Sequence, residues 1–558
     1  MIIKDKIVEI LKENGITGLT LKKSSRLDLS DFASSDALRL ASELRKKPID
    51  IANELKEKLK KIDIFENVTV DGPGFLNFKM SDDFWKKCIN ELSQNSLYKE
   101  ENTKKIVIDY GGPNIAKPLH AGHLRSAVIG EALKRILKKA GNEVIADIHL
   151  GDWGLQMGLV FVGIEDENID INNISMSVLN DLYPKYSKLA KEDDEILKRA
   201  QRYTYLLQEG DVKFKAWWQK CYEVSVKAIK ENYGKLDISF DLFLGESDSE
   251  EVLKKLAEGL KAKKLLRFDD GAYVLDIKEE MDKKEMPPLL IIKSNGSFGY
   301  HGTDIATIKQ RMDEFAPEKI VYVTDFRQNL HFEQVFRAVR KIGIVGDDTD
   351  LVHVGYGTMN GKDGKPFKTR DGGVLRLEDF IALIVKAGYD KIKDEKVASS
   401  QEKEKLALNI GVAALKFGDL QNVVTSDYVL DLDAFASFEG KTGPYIQYSA
   451  VRIKSVLEKV GNIKGEINFY NEYDFALAKE LLEFDDAFKE SYEKLAPHYI
   501  CLKAYEIAQK FNTFYHFCYI VDEQDEKKKA SWVELCRKTL KVFEDFADLI
   551  GFELVDRM

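Results

Sequence analysis

Between Lys104 and Leu150 the chain passes through a short apolar strand, a glycine-rich turn, an amphipathic helix and a second strand. No other stretch limits the possible folds so tightly. KKIVIDY (104–110) is apolar at its centre without alternation, as strands buried on both faces of a parallel sheet are. Gly111-Gly112-Pro113-Asn114 turns the chain. Leu124, Val128, Ile129, Leu133, Ile136 and Leu137 then recur at helical spacing down one face. Gly141-Asn142 stops that helix, and EVIADIHL (143–150) supplies the next strand. With a right-handed crossover, this βαβ unit opens a doubly wound sheet of the α/β class.

At 558 residues the chain exceeds a single core, and three or so domains are expected. Residues 1–100 read as a mixed α+β module. Helices are expected over Ile2–Asn14 and Ala37–Lys60, and the strands NVTV and GFLNFKMS flank the turn Asp71-Gly72-Pro73-Gly74. Residues 101–385 form the sheet domain, interrupted near 170–235 by a helical insertion that carries Trp217 and Trp218. The strands LLIIKS (289–294) and KIVYVTD (319–325) are expected to complete the sheet. A loop rich in Gly, Lys and Asp spans 357–373. Residues 386–435 make a helical connection, and 436–558 a helical C-terminal domain.

Composition narrows the class. No apolar run approaches the roughly eighteen residues of a membrane span, and the start lacks the apolar block of a signal peptide. The five cysteines are odd in number and scattered, which suggests neither a disulfide framework nor a zinc knuckle. A cytoplasmic protein without a membrane partner is expected. The net charge of −10 decides nothing about nucleic acid, because local clustering of Lys and Arg matters more than the total.

The segment PNIAKPLHAGHLRS (113–126) joins the first strand to the helix start, where backbone N–H groups and the helix dipole favour an anion. Two histidines three apart, with Gly122 between them, let a phosphate chain approach the backbone while imidazoles donate hydrogen bonds. The glycines form neither G-x-G-x-x-G nor a Walker loop. Two blander readings compete: surface histidines of a first turn, or half a metal site with His149. No H-E-x-x-H pattern and no neighbouring cysteine supports the metal.

With that segment in place, further motifs follow in order: GDWGLQMG (151–158), SFGYHGTDIA (297–306), DFRQNLHF (325–332), FEGKTGPYIQYSAVR (438–452) and the terminal DRM. Together they resemble the arginyl-tRNA synthetases of class I, and GPGFLNFK (72–79) echoes that family's additional N-terminal domain. The resemblance runs from end to end. It implies a Rossmann-like catalytic domain between an N-terminal module and an all-helical anticodon-binding domain. It also implies ATP-dependent activation of L-arginine, transfer to tRNA(Arg), magnesium with ATP, no zinc, and a monomer. Dependence of activation on tRNA is a further implication.

Carried over residue by residue, the resemblance places His120, Gly122, His123 and Gln156 at ATP. The second signature loop is Gly364-Lys365-Pro366-Phe367-Lys368-Thr369-Arg370, which departs from the lysine-rich K-M-S-K-S form. Lys117 and Lys368 are expected to act on the phosphates with the two histidines, and Lys365 and Arg370 to bind ATP. Glu246, Tyr300 and Asp304 match positions that hold the arginine side chain, a planar cation suited to bidentate carboxylates. Asn114, Gln328 and Asp109 match positions near its α-amino and carboxylate groups. Read alone, each acid would more often be a surface residue or a cap.

For tRNA, Tyr448, Arg452, Phe514 and Tyr515 combine aromatic faces with donors suited to unstacked bases, against the alternative that they pack a helical bundle. Asn77 is the candidate on the N-terminal module. Three other functions are weighed. A synthetase for cysteine or glutamate would lack the pairing of Glu246 with Asp304. A catalytically dead tRNA-binding paralogue would show damaged signatures. A metal-dependent hydrolase would be built on His120, His123 and His149.

Overall fold

The computed structural model of the chain describes residues 2–557, with 25, 27–28, 93–96, 284, 295, 366–374 and 393–398 excepted. Its centre is a four-stranded parallel sheet in the spatial order Asp350–Tyr356, Lys319–Asp325, Lys105–Tyr110, Glu143–Asp147. Lys105–Tyr110 lies inside the sheet and buries Ile106, Val107 and Ile108, which is why it reads as continuous apolar sequence. The helix Ala121–Lys139 links it to the adjacent strand Glu143–Asp147, and Leu124, Val128, Ile129, Leu133, Ile136 and Leu137 are all buried. Gly141, at φ +104°, turns the chain after that helix.

The strand LLII (Leu289–Ile292) does not join this sheet. It pairs antiparallel with Ala272–Leu275 in a separate three-stranded sheet with Arg267–Asp269. Apolar content marks a strand as buried but carries no information about its neighbour, so the expectation that it completes the parallel sheet is corrected here. KIVYVTD does join it, between the strands Asp350–Tyr356 and Lys105–Tyr110.

The N-terminal module has a four-stranded antiparallel sheet in which Phe65–Asp71 and Phe75–Met80 form the hairpin. The helix expected over Ala37–Lys60 is two helices, Asp36–Leu44 and Pro48–Leu59. Arg45 turns left-handed at φ 51°, and Pro48 sits in the first turn of the second helix, where a missing N–H costs nothing.

Three helices, Met176–Glu192, Asp194–Gln208 and Val212–Lys235, pack on the helix Leu155–Asp166 after the second strand. Beyond Ser400 the chain is mainly helical, ending in Gly443–Val460, Glu472–Leu482, Phe484–Lys494, His498–Phe517 and Glu526–Ile550. Among the described residues no helix is long and apolar enough to cross a membrane.

Candidate active site

In a parallel sheet the chain leaves each strand at the same edge, so the loops after successive strands meet there. The HAGH segment follows the first strand, GDWG the second, and Gln328 the strand Lys319–Asp325. This topology gathers the motifs.

His120 caps the helix Ala121–Lys139. Its Nδ1 accepts the Gly122 N–H at 3.1 Å, while its own backbone N–H donates to His123 Nδ1 at 3.2 Å. The pair forms a reciprocal capping box built from imidazoles. Because each Nδ1 accepts, each neutral ring carries its proton on Nε2. The rings stack at 3.8 Å. A side chain at Gly122 would begin 2.8 Å from the His120 ring, so only glycine fits. Burial pushes the His123 imidazolium down to about 3, with His120 and Lys117 adding to the shift, and burial and Lys117 lower His120. Both rings are therefore neutral donors at ordinary pH. Lys117 lies 4.3 Å from the centre of the Tyr183 ring, on the helical insertion.

A second, acidic group gathers around GDWG and the start of the helix Glu246–Ala262. Asp152 of GDWG is fully buried and accepts the Ser247 backbone N–H at 3.0 Å and the Ser247 hydroxyl at 2.5 Å. Burial pushes its carboxyl up to about 6. Glu246 opens the helix Glu246–Ala262; burial, with the nearby Asp152 and Asp304 adding, raises it to about 6. Asp304 lies on the helix Tyr300–Phe315 and meets His331 Nε2 at 2.6 Å. The insertion steadies GDWG, since Trp218 Nε1 donates to the Asp152 carbonyl at 3.1 Å and Gln208 to that of Trp153 at 3.0 Å. Gln156 donates to the Gly151 carbonyl at 3.2 Å.

Asp109 pairs in register with Asp147 on neighbouring strands, and Arg311 Nη2 donates to both carboxylates at 2.6 Å. Burial holds Asp109 up against the pull of Arg311. For Asp147 burial is outweighed by His149 and Arg311, and its carboxyl drops to about 2. The metal-like grouping Asp109–Asp147–His149, whose ligand atoms lie within 4.8 Å of one another, thus already encloses a guanidinium nitrogen bonded to both carboxylates.

The other expected residues are less engaged. Asn114 is exposed and its backbone pairs with Gly151. Tyr300, at the start of its helix, is 74% exposed, with Lys293 5.7 Å from its ring centre. Gln328 is exposed at the turn before the helix Asn329–Lys341. Lys365 is exposed, whereas Lys368 and Arg370 lie outside the described residues. Asn77, remote in the N-terminal hairpin, bonds Asp71 at 2.8 Å. Sequence reasoning missed Asp152, Arg311, His331 and Arg376 as individual residues. Arg311 stands two helical turns after Asp304, a spacing that puts both on one face.

In the C-terminal bundle, Arg452 stacks 4.4 Å from the Tyr448 ring and 5.4 Å from that of Tyr515. Beside it runs a groove of about 850 Å³ lined by Tyr445, Arg452, Asn512, Tyr515, Phe517 and Tyr519. Phe514 is a correction: it is fully buried, edge-on to Trp532 at 5.9 Å, and belongs to the bundle core rather than to a tRNA-facing surface. Phe514 and Tyr515 point about 100° apart on the helix, but spacing alone does not say which direction the rest of the bundle covers.

Three family models match the chain: the catalytic domain of class I tRNA synthetases (R) over residues 87–432, the DALR anticodon binding domain over 446–558, and the arginyl-tRNA synthetase N-terminal domain over 1–80. The chain is 42% identical to an arginine–tRNA ligase of Alkaliphilus oremlandii over 557 residues, covering 96% of this chain and 95% of that one. It is 38% identical to an arginine–tRNA ligase of Francisella tularensis subsp. novicida, with the same coverage of both chains. Among solved structures it superimposes on the arginyl-tRNA synthetase of Plasmodium falciparum with a TM-score of 0.81 at 25% identity, covering 100% of this chain and 99% of the other. The fold of the Thermus thermophilus arginyl-tRNA synthetase matches equally, with a TM-score of 0.81 at 22% identity over 100% and 99% of the two chains.

Proposed function

This chain belongs to the class I arginyl-tRNA synthetases, and on that premise we propose that the cleft bounded by His120, His123, Glu246 and Asp304 is where it joins arginine to tRNA. It is an arginine–tRNA ligase that consumes ATP. A carboxylate oxygen of arginine attacks the α-phosphorus. The new P–O bond forms as the bond to the bridging oxygen breaks, and diphosphate leaves with the electron pair. A terminal ribose hydroxyl of tRNA then attacks the arginyl carbonyl, AMP departs, and the hydroxyl proton passes to solvent. Such transfers need positioning and charge neutralisation more than covalent help from the protein.

The observation that carries the assignment of roles is the reciprocal imidazole cap. It leaves two Nε2–H donors at a helix N-terminus, a preorganised anion site. In this reading Lys117 leaves the Tyr183 ring to meet the phosphates, assisted by Lys365, Lys368 and Arg370, while Gly122 and Gln156 line the nucleotide. Glu246 and Asp304 take the guanidinium. Asn114, Gln328 and Asp109 serve the α-amino and carboxylate end, and Tyr300 closes over the side chain by rotating inward. Magnesium accompanies ATP and is held mainly by its phosphates, because the only metal-like group among the described residues encloses Arg311. The groove beside Tyr448, Arg452 and Tyr515 takes the anticodon loop, and Asn77 the tRNA corner. A monomer in the cytoplasm is part of the same proposal.

Arginine-dependent exchange of labelled diphosphate into ATP, with and without tRNA, tests the reading. We expect exchange with arginine, none with lysine, and a requirement for tRNA. Absence of exchange under both conditions removes the assignment of this cleft.

A further inference from the structure

We propose that Arg311 is a specificity-determining positioning residue: a built-in guanidinium that occupies the Asp109–Asp147 pair so that the substrate guanidinium is directed to Glu246 and Asp304. This rests on the reading of the cleft given above. The parallel register sets Asp109 beside Asp147 at the ends of adjacent strands. Two carboxylates so close repel each other and would attract any cation entering the cleft. Arg311 answers both with one nitrogen, Nη2, at 2.6 Å from each, and it is 1% exposed.

The surroundings do not look like an ordinary structural ion pair. The remaining Arg311 donors, Nε and Nη1, are buried with no hydrogen bond, as are the Tyr322 hydroxyl and His149 Nε2, while His149 Nδ1 faces Asp147 Oδ2 at 3.8 Å. Buried polar groups are normally satisfied, and such a concentration marks a place built for something other than packing. The Arg311 guanidinium lies 5.3 Å from the centre of the Tyr322 ring, which limits its sideways movement. Asp147 is closed to solvent, but Asp109 keeps 13% exposure and gives only Oδ2 to Arg311. Arg311 therefore fixes the orientation in which Asp109 faces the cleft.

Arg311 and Asp304 lie two turns apart on one helix, so one rigid element carries both the internal guanidinium and an acceptor for the incoming one. With Arg311 absent, the cleft would contain two acidic pairs. Arginine would then divide between two registers, one of which leaves its carboxylate away from the α-phosphorus. Smaller cations such as lysine would also find an acceptor pair without matching the bidentate geometry.

The test compares wild type, Arg311→Ala and Arg311→Lys in diphosphate exchange and aminoacylation with tRNA present. Arg311→Ala is expected to raise the KM for arginine about tenfold or more and to cut discrimination against lysine by a similar factor, with the KM for ATP unchanged. Low millimolar guanidinium should inhibit wild type by competing with arginine, yet activate Arg311→Ala by refilling the vacated place. Urea, of the same shape but neutral, should do neither. Unchanged arginine KM and discrimination, or guanidinium inhibition of the variant as of wild type, overturns the proposal. If Arg311→Ala fails to fold, Arg311→Lys decides. It keeps the charge but not the planar geometry, so a raised arginine KM supports the proposal and wild-type values overturn it. Loss of exchange by the wild-type enzyme would instead remove the underlying reading of the cleft.

Discussion

His120 and Arg376 stand side by side on an antiparallel backbone pairing, and the next residue, Leu377, donates its N–H to the Leu119 carbonyl at 2.8 Å. The chain emerging from the second signature loop is thus stitched to the start of the helix that carries the first. Arg376 is 46% exposed and its nearest acid, Asp181, is 3.7 Å away and 78% exposed, a weak partnership.

On the proposed reading of the site, that geometry makes Arg376 a further cation for ATP. Replacing it with alanine is expected to raise the KM for ATP about tenfold, the loss of one charge-assisted hydrogen bond, and lysine should restore part of it. Exchange kinetics at varied ATP check this. An unaltered KM for ATP in both variants would confine Arg376 to a backbone role.

Arginine affinity should depend on pH through Glu246 and Asp152, both pushed up to about 6 by burial. Guanidinium binding favours the ionised carboxylates, so it expels protons held by the empty cleft. Affinity is then full above about pH 7 and falls as pH drops through 6, by up to about tenfold per unit for each group titrating. His123 contributes nothing in this window, because burial pushes it down to about 3. Calorimetry of arginine binding in buffers of different ionisation enthalpy reads the released protons directly. Equal heats in all buffers at pH 6 would contradict the expectation.

His120 caps its helix and, in the proposed reading of the site, donates to the phosphates; two substitutions separate these roles. Asparagine caps well, so His120→Asn should keep thermal stability while exchange falls. His120→Ala should lose both, with a stability cost of about 1 kcal/mol. Thermal melts beside exchange rates distinguish them, and equal stability of the two variants would argue against the cap.

Phe514 and Tyr515 are adjacent but should fail differently. Phe514→Ala is expected to destabilise the chain by about 3–5 kcal/mol, the cost of emptying a packed aromatic site. Tyr515→Ala should leave the melting temperature near wild type and raise the KM for tRNA about tenfold, the worth of a base-stacking contact. Denaturant unfolding and aminoacylation at varied tRNA measure the two. A stable Phe514→Ala with impaired tRNA binding would return that ring to the interface.

The amino-acid sequence by itself determined the elements whose cause is local. The strand Lys105–Tyr110, the helix Ala121–Lys139 and the hairpin around Asp71–Gly74 follow from apolar periodicity and turn chemistry within a few residues. The ordered motifs were enough to point to the family, since many short matches in one order leave little room for coincidence. The break at Pro48 was missed, because apolar spacing continues across it. Tertiary structure alone decided matters that depend on partners distant in the chain. Leu289–Ile292 chose a separate antiparallel sheet because pairing depends on which edge the fold presents. Phe514 went to the core and Tyr515 to the groove because the neighbouring helices cover one face and leave the other open. Arg311 gained its role only when a helix delivered it to Asp109 and Asp147, separated from it by 202 and 164 positions. Periodicity reports which side of an element is covered. What covers it is set by the packing of the whole chain.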